Sequence, residues 1–299
     1  MKRRSQPTFA EAVEPLDTAE RLPAFAGSFY PYSAEDLSAQ VQGFIDSAEP
    51  RLIDGELIGL ISPHAGYVYS GHVAGHAYKQ LAGKSFDSVV LIGLSHRHPV
   101  HGAAIYAGGR FRTPLGEIEI DEELAGEILR RNRRVVNLPE AHAREHCLEV
   151  QLPFLQSALA EFRIVPILLQ DDSHENVVPL GEAIAEAMRG RSALLVCSTD
   201  LCHYPSYDEA VQSDQVVIEA IQRFDADELR KQMADYLRTH AVSGLYCMMC
   251  STGAVYATLE AARRLGGARI EVHKAANSGD VPGGRRDMVV GYMAAAIYC

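Results

Sequence analysis

A chain of 299 residues with 47% hydrophobic and 22% charged residues has the composition of a globular protein, which excludes wholesale disorder. Its formal net charge of -11 and pI near 5.5 argue against partners such as nucleic acid or an anionic membrane, because both need a basic surface. No apolar run reaches the ~20 residues of a membrane helix, and the first residues lack the apolar core of a secretory signal. We therefore expect a cytoplasmic protein with no nucleic acid and no membrane among its partners.

The beginning of the chain predicts a tail followed by one domain. Residues 1–20 are polar and without periodicity, which is typical of a poorly ordered tail. Residues 21–299 are interrupted by no Pro/Gly/Ser-rich linker and no internal repeat, so they are interpreted as a single domain. Ser33, with Asp36 three positions later, predicts the start of the first helix.

The rest of the chain alternates between apolar runs and helical patterns. Four runs have the length and aliphatic content of buried strands: 57–62, 88–94, 163–169 and 193–198. Helical patterns are found at 72–82, 144–160, 174–189, 208–235 and 251–265. A hairpin is predicted at 110–121, and two late strands at 269–275 and 288–298. This alternation indicates an α/β fold of three layers, with a mostly parallel or mixed central sheet flanked by helices.

Ionisable side chains directly follow three of the four buried strands. His64 comes after the first strand, His96 after the second, and Asp200 and His203 after the fourth. Because the carboxyl ends of parallel strands meet at one edge of a sheet, we expect these groups to converge. Imidazoles on rigid strand ends are good metal ligands, so a shared metal site is favoured over the alternative of separate loop histidines.

The residues leave the remaining ligand of such a site open. Carboxylates near the expected edge are Asp200, Glu145 and Glu149. Cys247 and Cys250 form a C-x-x-C pair just before a predicted helix, whose N-terminus would lower a thiol pKa and favour metal binding. The alternative for either cysteine is a buried structural role.

Six stretches occur in an order that carries a resemblance to a known family. They are RLPAFAGSFYP (21–31), SPHAGYVYSG (62–71), LIGLSH (91–96), RTPLGEIEID (112–121), EHCLEVQLPFL (145–155) and STDLCHY (198–204). Together they resemble the MEMO family, whose prokaryotic members are known as protein B of the AmmeMemoRadiSam system. The resemblance runs from about residue 21 to the C-terminus.

The resemblance implies a fold shared with the class III extradiol (protocatechuate 4,5-dioxygenase-like) dioxygenases. It also implies one transition metal ion, copper or iron, with His64, His96 and Cys247 as ligands. A set of two imidazoles and a thiolate suits copper or zinc better than ferrous iron. Family members follow the cysteine with glycines, whereas this chain has two methionines and then Cys250, so Cys250 stays open as the third ligand.

The leading hypothesis is therefore a metal-dependent, dioxygenase-like redox enzyme acting on a small aromatic or phenolic substrate. By the resemblance, His203 matches the general base of the dioxygenases, with Asp200 beside it to orient it or to hold its cation. His146 is expected to border the same pocket.

Two alternatives belong to other classes of protein. A binding module for a phosphopeptide would keep the cleft and its cationic groups, among them Arg112, His146 and His203, without needing a complete metal site. An accessory protein would act beside the radical-SAM and AMMECR-type partner proteins that complete the system's name, and this alternative rests on family association alone.

Overall fold

The computed structural model describes residues 19–49 and 53–299 of the chain. The tail expected at residues 1–20 lies outside the described residues, apart from its last two positions. Glu20, one of these two, begins a short strand. Within the described part of the chain, no helix combines the length and the apolar character needed to cross a lipid bilayer.

The described residues form eleven strands and nine helices. The strands are β1 (Glu20–Arg21), β2 (Leu57–Ser62), β3 (Ser88–Leu94), β4 (Ala103–Ile105), β5 (Arg110–Thr113), β6 (Gly116–Glu119), β7 (Val135–Asn137), β8 (Arg163–Leu169), β9 (Ala193–Ser198), β10 (Arg269–Asn277) and β11 (Gly291–Tyr298). The helices are α1 (Ala34–Ser47), α2 (Tyr67–Tyr78), α3 (Glu122–Arg131), α4 (Pro139–His142), α5 (Leu152–Ala158), α6 (His174–Met188), α7 (Tyr207–Ile221), α8 (Ala226–Thr239) and α9 (Thr252–Arg264).

The main sheet has eight strands in the order β10-β11-β2-β9-β3-β8-β4-β7. The four central strands, β2, β9, β3 and β8, are parallel, while β11 runs antiparallel to β2 and β4 runs antiparallel to β8. A second, small sheet has the order β1-β5-β6. The mixed α/β layout predicted from the sequence is therefore confirmed, with the four buried strands at the predicted residues.

Helices cover both faces of the main sheet, and the strand residues alternate between two hydrophobic layers. Val90 and Ile92 of β3 belong to the layer that includes α6 and α9, whereas Val89 and Leu91 belong to the layer of α1, α2 and α5. All four side chains are fully buried. Because both faces of these strands are buried, their sequences are continuous apolar runs. Burying each such side chain contributes about 1.5–3 kcal/mol relative to leaving it exposed.

Three helix predictions needed adjustment. The pattern predicted at 208–235 forms two helices, α7 and α8, rather than one. The helix predicted at 72–82 begins earlier, at Tyr67, because the chain enters α2 directly after Gly66. The helix predicted at 144–160 is confined to α5 and one preceding 3-10 turn. Residues before that turn are irregular, because the Glu145 side chain accepts hydrogen bonds from the backbone N–H groups of His96 and Cys147.

Two helices are not predicted from the sequence, the short α4 and the longer α3, although the sequence of α3 carries a start signal. Asp121 caps α3, with its carboxylate accepting a hydrogen bond of 3.0 Å from the backbone N–H of Leu124. Leu124, Ala125 and Ile128 then form its buried face. The alternation at 110–121 predicts a hairpin that includes Asp121, and this pattern hides the capping signal.

Close packing of α1 against α2 depends on glycine. A Cβ atom added at Gly75 would lie 2.3 Å from the backbone oxygen of Phe44, and one added at Gly71 would lie 2.3 Å from the Phe44 ring. A ring can shift, but a helix backbone can move only by separating the two helices. Gly75 therefore sets how closely the helices approach each other.

We expect Gly75→Ala to lower the free energy of unfolding by about 1–3 kcal/mol, the usual cost of overpacking. The matched control is Gly43→Ala in α1, where an added Cβ meets nothing within 4 Å. This control should instead gain up to about 1 kcal/mol from helix propensity. Urea unfolding followed by circular dichroism measures both. Equal effects of the two substitutions would contradict the proposed role of Gly75.

Candidate functional site

Three parallel strands bring their terminal residues to one edge of the main sheet. Ser62 at the end of β2 pairs in register with Ser198 at the end of β9, and β3 lies on the other side of β9. His64 and His96 therefore meet, with ring centroids 5.2 Å apart. Asp200 joins them, since its Oδ1 accepts a hydrogen bond of 2.7 Å from the backbone N–H of His64. The convergence expected from the strand ends is present.

Cys250 completes a three-residue group with these histidines. Ligand atoms of His64, His96 and Cys250 all lie within 4.8 Å of one another, and Cys250 Sγ is 3.3 Å from His64 Nε2. For comparison, a nitrogen and a sulfur bound to one tetrahedral ion, at about 2.0 and 2.3 Å, lie about 3.5 Å apart. The geometry of this group is therefore that of ligands which could share an ion.

Cys247, the first cysteine of the pair, lies elsewhere in the same region. Its backbone pairs with His203, and its Sγ is 3.6 Å from His203 Nδ1. Cys250, three residues later in the chain, lies beside the segment that follows β9. Its sulfur accepts a hydrogen bond of 3.2 Å from the backbone N–H of Asp200. Of the two cysteines considered from the sequence, the fold thus brings Cys250, not Cys247, to the histidines.

The charges of the group favour an ionised Cys250. Burial opposes ionisation of its thiol, but the neighbouring His64 and His96 outweigh burial and hold the pKa of Cys250 well below its usual range. Burial likewise opposes protonation of His64, while Cys250 and Asp200 raise the pKa of His64 to about 9. A thiolate is the form of cysteine that binds metal, and metal binding would displace the proton from His64.

Glu145 determines how His96 is oriented. Its Oε2 accepts a hydrogen bond of 2.6 Å from the backbone N–H of His96, and its Oε1 lies 2.9 Å from the ring Nδ1 of His96. Burial raises the pKa of Glu145, but the contacts with His96 and His146 prevail and lower it to about 2. An ionised carboxylate only accepts, so His96 carries its proton on Nδ1 and has Nε2 left for a ligand.

His146 borders the group from the side of the N-terminal segment. Its ring lies 4.5 Å from that of His96 and 5.3 Å from that of His64, measured between centroids. Phe25 and Phe29 pack against its other side. Burial, reinforced by His64, lowers the pKa of His146 to about 3, so this ring is neutral at ordinary pH.

A buried ion pair holds the N-terminal segment in this position. Glu149, one of the carboxylates considered as a ligand, is fully buried and lies 2.5 Å from Arg21. It also accepts hydrogen bonds from the backbone N–H groups of Ala24 and Phe25 and from the hydroxyl of Tyr30. Its oxygens are therefore engaged in anchoring the segment that packs on His146.

A cavity of about 870 Å³ opens beside the group. Its lining includes three of the residues singled out from the sequence, namely His146, Asp200 and His203. Four aromatic residues are also part of the lining: Phe29, Tyr69, Tyr204 and Tyr292. Arg112, considered as an anion-binding residue, lies instead in β5, where it pairs with Glu20 and Glu117.

The loop between β9 and α7 presents His203 to this cavity. The backbone N–H of His203 donates to the Cys247 carbonyl at 3.0 Å, and the ring Nδ1 lies 3.0 Å from the carbonyl of Leu201. A carbonyl only accepts, so Nδ1 carries the proton and Nε2 is the ring's acceptor. The next residue, Tyr204, has φ of 109°, a conformation that is strained for any residue with a side chain.

The same loop is anchored from beneath by a buried carboxyl group. Oδ1 of Asp214, in α7, accepts a hydrogen bond of 3.0 Å from the backbone N–H of Cys202. A Cβ atom added at Gly291 would lie 1.9 Å from Asp214 Oδ2, so the carboxyl packs directly on the backbone of β11. Burial raises the pKa of Asp214 to about 7.

One part of the site is not predicted by the sequence pattern. The segment 278–290, between β10 and β11, supplies a wall of the cavity through residues such as Ser278, Val281 and Arg285. The glycine-rich stretch SGDVPGGRRD in this segment predicts a long loop. It does not indicate which part of the fold the loop covers. Ser198, whose Oγ lies 2.9 Å from His64 Nδ1, and Gln151, whose amide nitrogen lies 2.9 Å from that Oγ, have no role that the sequence pattern predicts.

Comparison with known proteins identifies relatives along nearly the whole chain. A family model described as Memo-like protein matches residues 21–296. A MEMO1 family protein of Methanopyrus kandleri is 37% identical over 286 residues, covering 92% of this chain and 98% of the relative. One of Methanosarcina mazei is 37% identical over 279 residues, covering 92% and 97%. One of Thermotoga neapolitana is 35% identical over 290 residues, covering 93% and 99%. The resemblance carried by the six motifs is confirmed.

We expect Asp214 to make folding stability depend on pH. Its pKa is raised from 3.8 to about 7, so between these values the unfolded chain ionises the carboxyl while the folded chain keeps it protonated. Its contribution to stability is complete at low pH and is lost as pH rises through about 7, with a slope of up to about 1.4 kcal/mol per pH unit. Asp214→Asn should remove this contribution.

Urea unfolding of both proteins between pH 4 and pH 8 measures the difference. Asp208→Asn, an exposed carboxyl of the same helix, is the matched control and should leave the pH dependence unchanged. Parallel pH profiles for the native protein and Asp214→Asn would refute the assignment.

Proposed function

The chain belongs to the Memo-like protein family, and from that premise and the geometry of its pocket we propose that it is a metal-binding redox protein. It holds one transition metal ion with His64, His96 and Cys250. The observation that carries the proposal is the grouping of these three residues, with their ligand atoms within 4.8 Å of one another, beside a large cavity.

The chemistry of the donor set supports a soft or borderline ion. Each histidine has its Nδ1 engaged, His64 with Ser198 and His96 with Glu145, so both rings offer Nε2. Cys250 offers a thiolate. Two imidazoles and a thiolate suit copper or zinc, and iron is the alternative implied by the resemblance to dioxygenases. When bound, the ion supplies Lewis acidity and, for copper or iron, electron transfer.

The chain's own residues would bind the substrate and move a proton. Aromatic walls favour a small aromatic or phenolic substrate, which their rings can stack against. His203 presents Nε2 as the acceptor for a substrate proton and serves as the general base. Asp200 lies beside it and holds the backbone of His64 in place. His146, kept neutral by burial, closes the pocket on the side of the N-terminal segment.

The two cysteines provide a matched test of the metal site. We expect native protein and Cys247→Ser to bind about one ion per chain, whereas Cys250→Ser, His64→Ala and His96→Ala lose most of it, since each removes a ligand. Elemental analysis after purification, together with titration of the metal-free protein with Zn²⁺ and Cu²⁺, measures this. Unchanged binding in all three ligand variants would eliminate the proposed site, and loss with Cys247→Ser alone would transfer the sulfur ligand to that residue.

The role of His203 is tested by turnover. We expect metal-loaded protein to consume oxygen with at least one member of a panel of ortho-dihydroxylated aromatic compounds. His203→Gln should lower the rate by about 10²–10⁴, the usual contribution of a general base, with unchanged metal content. His240→Gln, at an exposed position after α8, is the control. An unchanged rate in His203→Gln would show that another group moves the proton.

A further inference from the structure

A chain of buried polar side chains leads to the Nδ1 side of His64. It links Tyr78 of α2, Gln151, Ser198 of β9 and the Nδ1 atom of His64. All four residues are 2% exposed or less. Polar groups this deeply buried must satisfy one another, so the direction of each hydrogen bond can be worked out.

Two backbone carbonyls determine the orientation of the Gln151 amide. The nitrogen of this amide lies 2.9 Å from the Pro63 carbonyl oxygen and 3.4 Å from that of Cys147. Carbonyls only accept, so the amide must present its NH₂ group to this side. Its oxygen then accepts from the hydroxyl of Tyr78, at 2.7 Å, and its nitrogen donates to Ser198 Oγ, at 2.9 Å.

Ser198 passes this constraint on to His64. Its Oγ lies 2.7 Å from the carbonyl oxygen of Cys147, which can only accept, so the single hydroxyl hydrogen of Ser198 points there. Ser198 Oγ already accepts from Gln151 and has one lone pair left. The Nδ1 atom of His64, 2.9 Å away, must therefore be the donor.

We propose that Ser198, oriented by Gln151, fixes the ring tautomer of His64 and thereby the affinity of the site for metal. With the proton held on Nδ1, the lone pair of the neutral ring is on Nε2, which faces the Cys250 sulfur at 3.3 Å. Ser198 and Gln151 are positioning residues, since they act through His64. The inference rests on the proposed function, because it concerns the metal ligand named there.

If Ser198 and Gln151 only stabilised the fold, replacing them would have a different effect. The same hydrogen bonds tie the end of β2, the end of β9 and the loop containing Cys147 to α2, so losing them lowers stability in any case. Only the tautomer role predicts a defined ring nitrogen for the metal and a change in metal affinity at unchanged fold. The test therefore measures both quantities.

The experiment uses the full chain loaded with Zn²⁺, which is diamagnetic and redox-inert. Long-range ¹H–¹⁵N spectra identify the protonated ring nitrogen of His64, and competition with a chromophoric chelator measures Zn²⁺ affinity. We expect Nδ1 to carry the proton in the native protein. Ser198→Ala should weaken Zn²⁺ binding by about 10–100-fold, while Ser198→Thr, which keeps the hydroxyl, should stay within a few-fold of native affinity.

The control is Ser213→Ala, a fully buried serine of α7 whose hydroxyl donates to the carbonyl of Ala210. It removes the same atoms and should leave Zn²⁺ affinity unchanged. Zinc on Nδ1 of His64 in the native protein would overturn the inference without any variant, so a misfolded Ser198→Ala does not prevent the test. Native affinity in folded Ser198→Ala would overturn it as well. If His64→Ala also keeps native affinity, the metal site itself fails, which is a separate result.

Discussion

Parallel strands in one sheet end at the same edge, and the chemistry proposed for this protein depends on that constraint. β2, β3 and β9 deliver His64, His96 and Asp200 to one place although the residues lie far apart in the chain. The antiparallel strands β11 and β4 flank the parallel centre without disturbing this convergence. Cys250 enters from outside the sheet, held by backbone contacts with the segment that follows β9.

Hydrogen-bond direction determines which ring nitrogen of His64 and of His96 carries the proton. Glu145 can only accept, so it holds the proton of His96 on Nδ1. Ser198 donates its only hydroxyl hydrogen to a backbone carbonyl, so its oxygen can only accept from His64 and holds the proton of His64 on Nδ1. Two unrelated partners therefore produce the same outcome, with both rings directing Nε2 away from their supports. Such preorganisation lowers the cost of assembling a metal site.

The cavity combines rigid and irregular parts of the fold. Two phenylalanines of a segment anchored by the Arg21–Glu149 ion pair pack against His146, and the backbone of His203 pairs with Cys247. Tyr204 shows that the loop carrying His203 stores strain, which surrounding contacts must offset. Loops of this kind place reactive groups where regular strands and helices cannot.

The sequence by itself determined the four central strands, the α/β layout and the family. It also predicted that His64, His96, Asp200 and His203 lie near one edge of the sheet, because apolar periodicity and strand-end polarity are local signals. Only the tertiary structure showed that Cys250, rather than Cys247, lies close to His64 and His96, since this depends on which part of an irregular segment approaches the end of β9. It likewise assigned Glu149 to an ion pair with Arg21 and Arg112 to a pair with Glu20, partners that are far apart in the sequence and that no local pattern predicts. Side-chain partnerships across long sequence separations depend on distance in space, which the order of residues does not express.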